Sequence, residues 1–386
     1  MDNNLELMAI IVDRIDRSSD RQITFAEYME LVLYHPHQGY YATSAQRISE
    51  RGDFLTSPHL AADFGEMLAI QLYQIWQILD APQTFQIVEM GAGTGLLASQ
   101  ILEYSRKIYP NFFQSIEYVI IEVAPAMQIA QQQQLKDLPV RWCNWTEIPD
   151  RSIVGCFLSN ELIDAFPVHQ VVVKEDRLQE VYVICDRDNH QLSEKIDKIS
   201  TEKLHEYWQL NQINLLNGKY PDGYRTEVNL AALAWQEQVF KKLQRGYIIS
   251  IDYGYTADRY YNPMRSQGTL QCYYRHAYHN DPYINIGNQD ITAHVDFTAL
   301  QKQGELLGLK TVGFIQQGLF LMALGLGDRI AAISSNEDRD VRSLLRRRQN
   351  LHQLIDPMGL GKFGILIQSY GLIDREHAVL LTGLLL

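Results

Sequence analysis

Three groups of residues in this chain could do chemistry together. The first is Gly91-Ala92-Gly93-Thr94-Gly95, with Glu89 two positions before it. Glycines at alternate positions let backbone turn tightly and come close to a ligand. The second is Glu122, which ends an apolar run from Tyr118 to Ile121. A carboxylate at the end of a second strand can accept hydrogen bonds from two ribose hydroxyls. The third is Asn160, Glu161 and Asp164, just after the apolar run Val154 to Ser159. A dinucleotide fingerprint has a small residue three positions after its second glycine; here that residue is Leu96. The spacing G-x-G-x-G suits S-adenosylmethionine (SAM) better than NAD. SAM carries no pyrophosphate, and a nearby Glu89 can balance its α-amino and sulfonium charges. On the acceptor side, paired carboxylates can hold a guanidinium or amine in line with a methyl group, and one of them can take its proton. Each group also has a plainer reading: a structural glycine turn, an exposed strand-end Glu122, and an Asn160 cap followed by two loop acids.

These residues need elements to position them. Phe85 to Glu89 is expected as a buried strand, the glycine turn follows, and a helix runs from Leu96 through Ser105 to Lys107. Such a helix turns its free N–H groups and positive dipole end toward the turn. Strand, glycine turn and helix open a doubly wound α/β sheet, whose ligands sit where the strand order reverses. A loop over Tyr109 to Ser115 accounts for the long gap before Glu122. Further core strands are expected at Tyr118 to Glu122, Val140 to Trp142, Val154 to Ser159, Tyr247 to Ile251, Thr311 to Ile315 and Gly364 to Ser369. Val168 to Lys174, Leu178 to Cys185 and Gln191 to Ile196 read as an antiparallel meander.

Before the core, Leu5 to Arg17 is an amphipathic helix. Thr24 and Glu27 form a capping box for a second helix, Phe25 to Tyr34. A long aperiodic stretch from His35 reads as a functional loop. Ser57 and Pro58 then start a helix to about Leu79 as N-cap and first residue. Helices are also expected at Thr201 to Asn211, Leu230 to Leu243 and Phe297 to Gly308. Arg346-Arg347-Arg348 reads as a solvated helix face. The stretch after Asp252 is aperiodic and rich in tyrosine: Tyr253, Tyr255, Tyr260, Tyr261, Tyr273, Tyr274 and Tyr278. It offers either an aromatic wall for a cation or loop tyrosines packed on the core. His294, beside Asp296, is a candidate base.

The bulk numbers narrow the class. The chain has 386 residues, 46% of them hydrophobic, and a net charge of −12. That charge argues against general nucleic-acid or membrane-surface binding. Cys143, Cys156, Cys185 and Cys272 show no CxxC spacing, so neither a zinc site nor a disulfide framework is expected. The N-terminal helix does not read as a signal peptide, and no apolar run is long enough to span a bilayer. A soluble cytoplasmic protein is expected, with a monomer and a homodimer both compatible. Four segments follow: 1–80, N-terminal helices and an active-site loop; 81–167, first half of the core; 168–229, an inserted meander and helices; 230–386, the second half.

The ordered blocks HPHQGYY (35–41), GDFLTSP (52–58), FGEML (64–68), VEMGAGTG (88–95), SNELIDAFPVH (159–169), IDYG (251–254), GTL (268–270) and DITAHVDF (290–297) resemble the MidA-like family of SAM-dependent methyltransferases over most of the chain. The resemblance implies an α/β fold, a Rossmann-like class I methyltransferase sheet with an inserted α+β subdomain and an N-terminal helical segment. It implies SAM contacts at Glu89, Gly91, Ala92, Gly93, Gly95 and Glu122. It implies a loop closing over the SAM end of the cleft, with Gly52, Thr56, Ser57 and Pro58 near the cofactor. Asn160, Glu161, Asp164 and His294 are the implied catalytic set, Asn160 also lying near the cofactor. The family's characterised mitochondrial member resembles a protein arginine methyltransferase acting on a complex I subunit. An arginine of a respiratory, NDH-type subunit is therefore the implied acceptor. This chain departs from the family pattern at Thr94, where Arg is common, and at Gln271, where Arg follows the GTL block. Two other readings stay open: a non-catalytic SAM-binding assembly chaperone, and an NAD-linked oxidoreductase, which the residue at Leu96 disfavours.

Overall fold

The structure is a computed structural model that describes residues 2–43, 56–186, 191–275, 277–333 and 341–385. Gly52 lies outside the described residues, as does most of the GDFLTSP block. The chain divides into two compact units. One comprises Phe54–Glu161, Gln238–Tyr253 and Gly304–Leu386; the other comprises Met1–Asp53, Leu162–Glu237 and Gly254–Gln303.

The first unit is built on a seven-stranded sheet. Its strands are β1 (Phe85–Met90), β2 (Ile116–Ile121), β3 (Val140–Trp142), β4 (Ile153–Asn160), β5 (Leu243–Asp252), β6 (Lys310–Gln316) and β7 (Gly364–Tyr370). They lie in the order β6-β7-β5-β4-β1-β2-β3. Strand β7 runs antiparallel to both neighbours, and the remaining pairs are parallel. The order reverses between β1 and β4, which makes this a Rossmann-like sheet with its switch point at β1. Ile87, Val88, Glu89 and Met90 are all buried, as expected of a parallel strand covered on both faces.

Helices α1 (Asp63–Ile78), α2 (Leu96–Ile108) and α3 (Pro125–Gln134) belong to the same unit. Phe64, Leu68, Leu72 and Ile75 form the apolar stripe of α1, and they share one core cluster with Leu97, Ile101 and Leu102 of α2 and with Ile87, Tyr118 and Leu158 of the sheet. A stripe of this kind supplies most of a helix's stability through burial.

Several local expectations need correction. The helix expected from Ser57 to Leu79 is two pieces, Ser57–Leu60 and α1, because Ala61 is extended. Thr56 holds the N-cap position of the short piece without a capping bond; its Oγ1 lies 2.7 Å from His59 Nδ1. Asp63, 4% exposed, begins α1. It accepts from Arg329 at 3.0 Å and Arg347 at 2.9 Å. Arg347 is thus an ion-pair partner rather than part of a solvated face, whereas Arg346 and Arg348 are exposed. The expected loop before β2 contains a helix, Pro110–Ser115, with Pro110 at its first turn. The tyrosine-rich stretch contains a small antiparallel sheet of Gln271–Tyr274, Ala277–His279 and Asp290–Thr292. Its strands pair Cys272 with His279 and Gln271 with Thr292, in short segments whose apolar periodicity is too weak to mark them.

The second unit holds a five-stranded antiparallel sheet. Ile23–Thr24, Arg177–Asp186, His169–Lys174 and Arg225–Val228 lie in that order, and Gln191–Asp197 also pairs with Arg177–Asp186. The expected meander is the middle of this sheet. Helix Phe25–Tyr34 carries the Thr24–Glu27 capping box in full, and Leu7, Ile11 and Ile15 of helix Leu5–Arg17 pack in the same cluster as Phe25, Tyr28 and Val183.

Asp63→Ala is expected to lower unfolding stability by about 1–3 kcal/mol, because a buried carboxylate that serves both Arg329 and Arg347 is lost while Arg329 keeps Glu66. Arg347→Ala is expected to cost about 1 kcal/mol or less, since Arg329 still pairs with Asp63 and Arg347 is well exposed to solvent. Urea unfolding of both variants checks this. Equal small losses would mean that the network does not stabilise the unit.

Candidate active site

The site in the first unit is assembled by register. Met90 of β1 stands opposite Ile121 of β2 and Ser159 of β4. The next residues along, Gly91, Glu122 and Asn160, therefore stand side by side at its carboxyl edge, Asn160 as the last residue of β4, level with Ile251 of β5. The Gly91 N–H donates to Ile121 O across this edge at 3.4 Å, and the Glu161 N–H donates to Ile251 O at 2.9 Å. Strand β1 runs one residue past Glu89, so this glutamate does not end it.

Glu89 is buried, 2% exposed. It accepts from the Tyr118 hydroxyl at 2.8 Å. Burial pushes its carboxyl up to about 7, the Tyr118 bond lowers it, and the charge of Glu122 adds to the rise. Glu122 is half-buried. Its Oε1 accepts from the Ala124 N–H at 2.9 Å and its Oε2 from Gln131 Nε2 at 2.8 Å. Burial raises its pKa, and these bonds oppose the rise. Each carboxylate oxygen can accept two hydrogen bonds, so both keep capacity for a further donor.

The glycine turn is open where a ligand would need it. Gly91, Gly93 and Gly95 all have positive φ. A Cβ on Gly93 would meet no atom within 4 Å, whereas one on Gly95 would press on Leu135 Cδ1 at 2.9 Å. Gly93 thus leaves room beside the turn, and Gly95 lets the end of α3 close on the start of α2. Helix α2 also ties down the Ser57–Leu60 segment: Gln100 Nε2 donates to Pro58 O at 2.7 Å. Ser57 Oγ donates to Gln317 at 3.3 Å. Thr56, Ser57 and Pro58 thus belong to the same unit as the glycine turn.

On β4, Asn160 Nδ2 donates to Glu161 Oε1 at 3.2 Å. Its Oδ1 is buried and has no hydrogen-bond partner among the described residues. A buried carbonyl without a donor is costly, and a ligand N–H or O–H would relieve that cost. Glu161 sits at φ +50, a sparsely populated region for glutamate; such strain clusters at functional sites.

The remaining sequence candidates belong to the second unit. Asp164 is 5% exposed, and its carbonyl accepts from the Ala293 N–H at 2.9 Å. His294 stacks on Tyr255 with ring centres 5.1 Å apart. Asp296, its neighbour, caps helix Phe297–Leu307 by accepting from the N–H groups of Thr298 and Ala299, and takes Asn211 Nδ2 at 2.8 Å. Burial pushes Asp296 up to about 6. Of the tyrosines proposed as a cation-binding wall, Tyr260 and Tyr261 are buried core residues. Tyr255 already carries the Arg265 guanidinium 4.4 Å from its ring centre. Among the described residues no cluster of His, Cys, Asp or Glu could hold a metal ion.

One site residue escaped sequence reasoning. Gln131 is fully buried and touches Gly93, Glu122 and Trp142. The run Gln131 to Gln134 reads as a polar surface, yet Met127, Gln131 and Leu135 are spaced by four and all buried, while Gln132 to Gln134 are exposed. That helical spacing was the available signal.

Comparison with known proteins agrees with this geometry. A family model described as "Putative S-adenosyl-L-methionine-dependent methyltransferase" matches residues 67–315. A Drosophila melanogaster protein named "Protein arginine methyltransferase NDUFAF7 homolog, mitochondrial" is 27% identical over 369 residues, 88% of this chain and 79% of that protein. The Homo sapiens "Protein arginine methyltransferase NDUFAF7, mitochondrial" is 27% identical over 372 residues, covering 88% and 78% of the two chains. A solved Burkholderia thailandensis structure, described as a "likely methyl transferase" and bound to S-adenosyl-homocysteine, superposes with a TM-score of 0.83 at 29% identity. That match covers 97% of this chain and 95% of the other. The open glycine turn, the two acids at the sheet edge and the matched family model together establish that this chain belongs to the SAM-dependent methyltransferases and uses S-adenosyl-L-methionine as its cofactor.

Proposed function

We propose that the protein methylates an arginine side chain of a protein, with a subunit of a respiratory, NDH-type complex under assembly as its acceptor. The observation that carries this reading is the buried Asn160 Oδ1, without a hydrogen-bond partner among the described residues, next to the Glu161 carboxylate at the edge that also bears Glu122. A carbonyl and a carboxylate both accept, which suits a nitrogen carrying N–H groups and positive charge. The names of the Drosophila and human relatives add support for arginine. SAM, when bound, supplies a methyl group on a sulfonium.

In this reading Glu122 receives the ribose hydroxyls, Gly91, Ala92, Gly93 and Gly95 pass under the ligand, and Glu89 balances its cationic end. Thr56, Ser57 and Pro58 line the cofactor side. Asn160 and Glu161 hold the acceptor nitrogen; the motif resemblance gives Asp164 the part of proton acceptor and His294 that of a candidate base. The proposal includes a protein partner, no nucleic acid and a cytoplasmic location, on the composition described above. The relatives named here are called mitochondrial.

Wild type should bind SAM in titration calorimetry and add methyl groups to a candidate subunit, read by mass spectrometry. No heat and no mass gain would remove the enzyme reading. Asp164→Ala should cut transfer by about 10²–10⁴-fold while SAM affinity stays near wild type; equal loss of both would mean that Asp164 is structural. Gly93→Val should instead abolish SAM binding, because a branched side chain would fill the space beside the turn and strain a positive φ.

Glu89 gives a pH signature. Its carboxyl is held near 7 in the folded protein against 4.5 for an ordinary glutamate. The folded chain therefore binds more protons between these values, and stability falls as pH rises through the window, by up to about 3 kcal/mol. A cationic ligand favours the ionised form, so SAM affinity should increase with pH up to about 7 and then level off. Glu89→Gln should flatten both profiles. Calorimetry and thermal melts across pH 5 to 8 check this; a wild-type affinity independent of pH would contradict it.

A further inference from the structure

The side-chain amide of Gln131 makes three hydrogen bonds in one buried place. Its Nε2 donates to Gly93 O at 2.9 Å and to Glu122 Oε2 at 2.8 Å. Its Oε1 accepts from the Trp142 indole N–H at 2.8 Å. An indole nitrogen can only donate. The amide oxygen must therefore face Trp142, and both N–H groups must face the glycine turn and Glu122. Rotating the amide by half a turn would set donor against donor at Trp142 and acceptor against acceptor at the other two contacts. Trp142, on β3, thus fixes which way round Gln131 sits on α3.

The backbone supports this placement. The Gln131 Cα is 3.6 Å from where a Cβ on Gly95 would stand. The absence of a side chain at Gly95 lets α3 lie close enough for a glutamine to span from turn to acid. A shorter amide at position 131 would not reach both partners from the same Cα, and a lysine would offer the Trp142 N–H no acceptor. The Glu122 carboxylate is joined to the backbone through three rotatable bonds; the Ala124 N–H holds one oxygen and Gln131 holds the other.

We propose that Gln131 is the positioning residue for the cofactor's ribose: it sets the Glu122 carboxylate and the Gly93 carbonyl relative to one another, with Trp142 holding its amide in the productive orientation. The inference rests on the reading that Glu122 accepts from the ribose hydroxyls. Pre-organised acceptors lose little freedom on binding, so the effect concentrates in the ribose contacts and not in the adenine or amino-acid ends.

The test uses the full chain and two probes, S-adenosylhomocysteine and its 2′-deoxy counterpart, in titration calorimetry. Wild type should bind the ribose form about 10- to 100-fold more tightly, as expected for a hydrogen bond to a charged group. In Gln131→Leu this ratio should fall to threefold or less, on the order of the residual contribution of an unoriented bond. Trp142→Phe keeps the ring but removes the donor and should give an intermediate ratio. It also carries the test if Gln131→Leu does not fold. Glu122→Gln serves as the control for the underlying reading. A wild-type preference that survives intact in Gln131→Leu and Trp142→Phe, even with both affinities weakened equally, would overturn the inference alone and mark Gln131 as merely structural. A wild-type ratio near one would overturn the Glu122 reading and this inference with it.

Discussion

The constraint on which the site depends is the parallel register of β2, β1 and β4. Because Ile121, Met90 and Ser159 stand level, three chain segments leave the sheet at the same height. There Glu122, Gly91 and Asn160 bring an acid, a glycine and an amide to one edge, with Asn160 still paired to β5. No side-chain interaction creates this alignment. It follows from hydrogen bonds between strands whose residues are buried on both faces, and a slip of one residue would turn every side chain to the opposite face. The Rossmann-like order places that edge at the point where the strand order reverses.

Keeping acids at such an edge has an energetic cost. Glu89 is almost fully buried and its charge is disfavoured, although Tyr118 donates to it. Glu122 is better served, by a backbone N–H and the Gln131 amide. Asn160 Oδ1 lacks a partner among the described residues. Buried polar groups are normally satisfied, and here Glu89 is pushed up to about 7, burial raises the pKa of Glu122, and Asn160 Oδ1 lacks a donor among the described residues. A ligand that brings positive charge and hydroxyl donors would relieve all of them. This matches the chemistry of the cofactor that the family uses, and it explains why these polar groups persist within an apolar unit.

Much of this arrangement was legible in the chain itself. The glycine turn, the strand before it and the amphipathic helix after it are local patterns, and the structure keeps all three. The capping box at Thr24 and Glu27 was readable for the same reason. What was not legible depends on distant partners. Arg347 looked like a solvated charge because Asp63 is far away in sequence. Tyr260 and Tyr261 looked available to a cation until their packing in the core was seen. The short sheet around Gln271–Tyr274 is made of strands of three or four residues, too short to show an alternating pattern. Gln131 stood in a run of four glutamines, and only its spacing from Met127 and Leu135 set it apart. Asp164 and His294 were grouped with Asn160 by motif, yet they belong to the other compact unit.

The central claim is that the carboxyl edge of β1, β2 and β4 holds the cofactor. A crystal structure of the protein with S-adenosylhomocysteine tests it most directly. The claim predicts ribose hydroxyls within hydrogen-bond distance of Glu122 and ligand atoms in the open space beside Gly93. A nucleoside bound elsewhere, with Glu122 turned away and a protein side chain filling the space at Gly93, would contradict it.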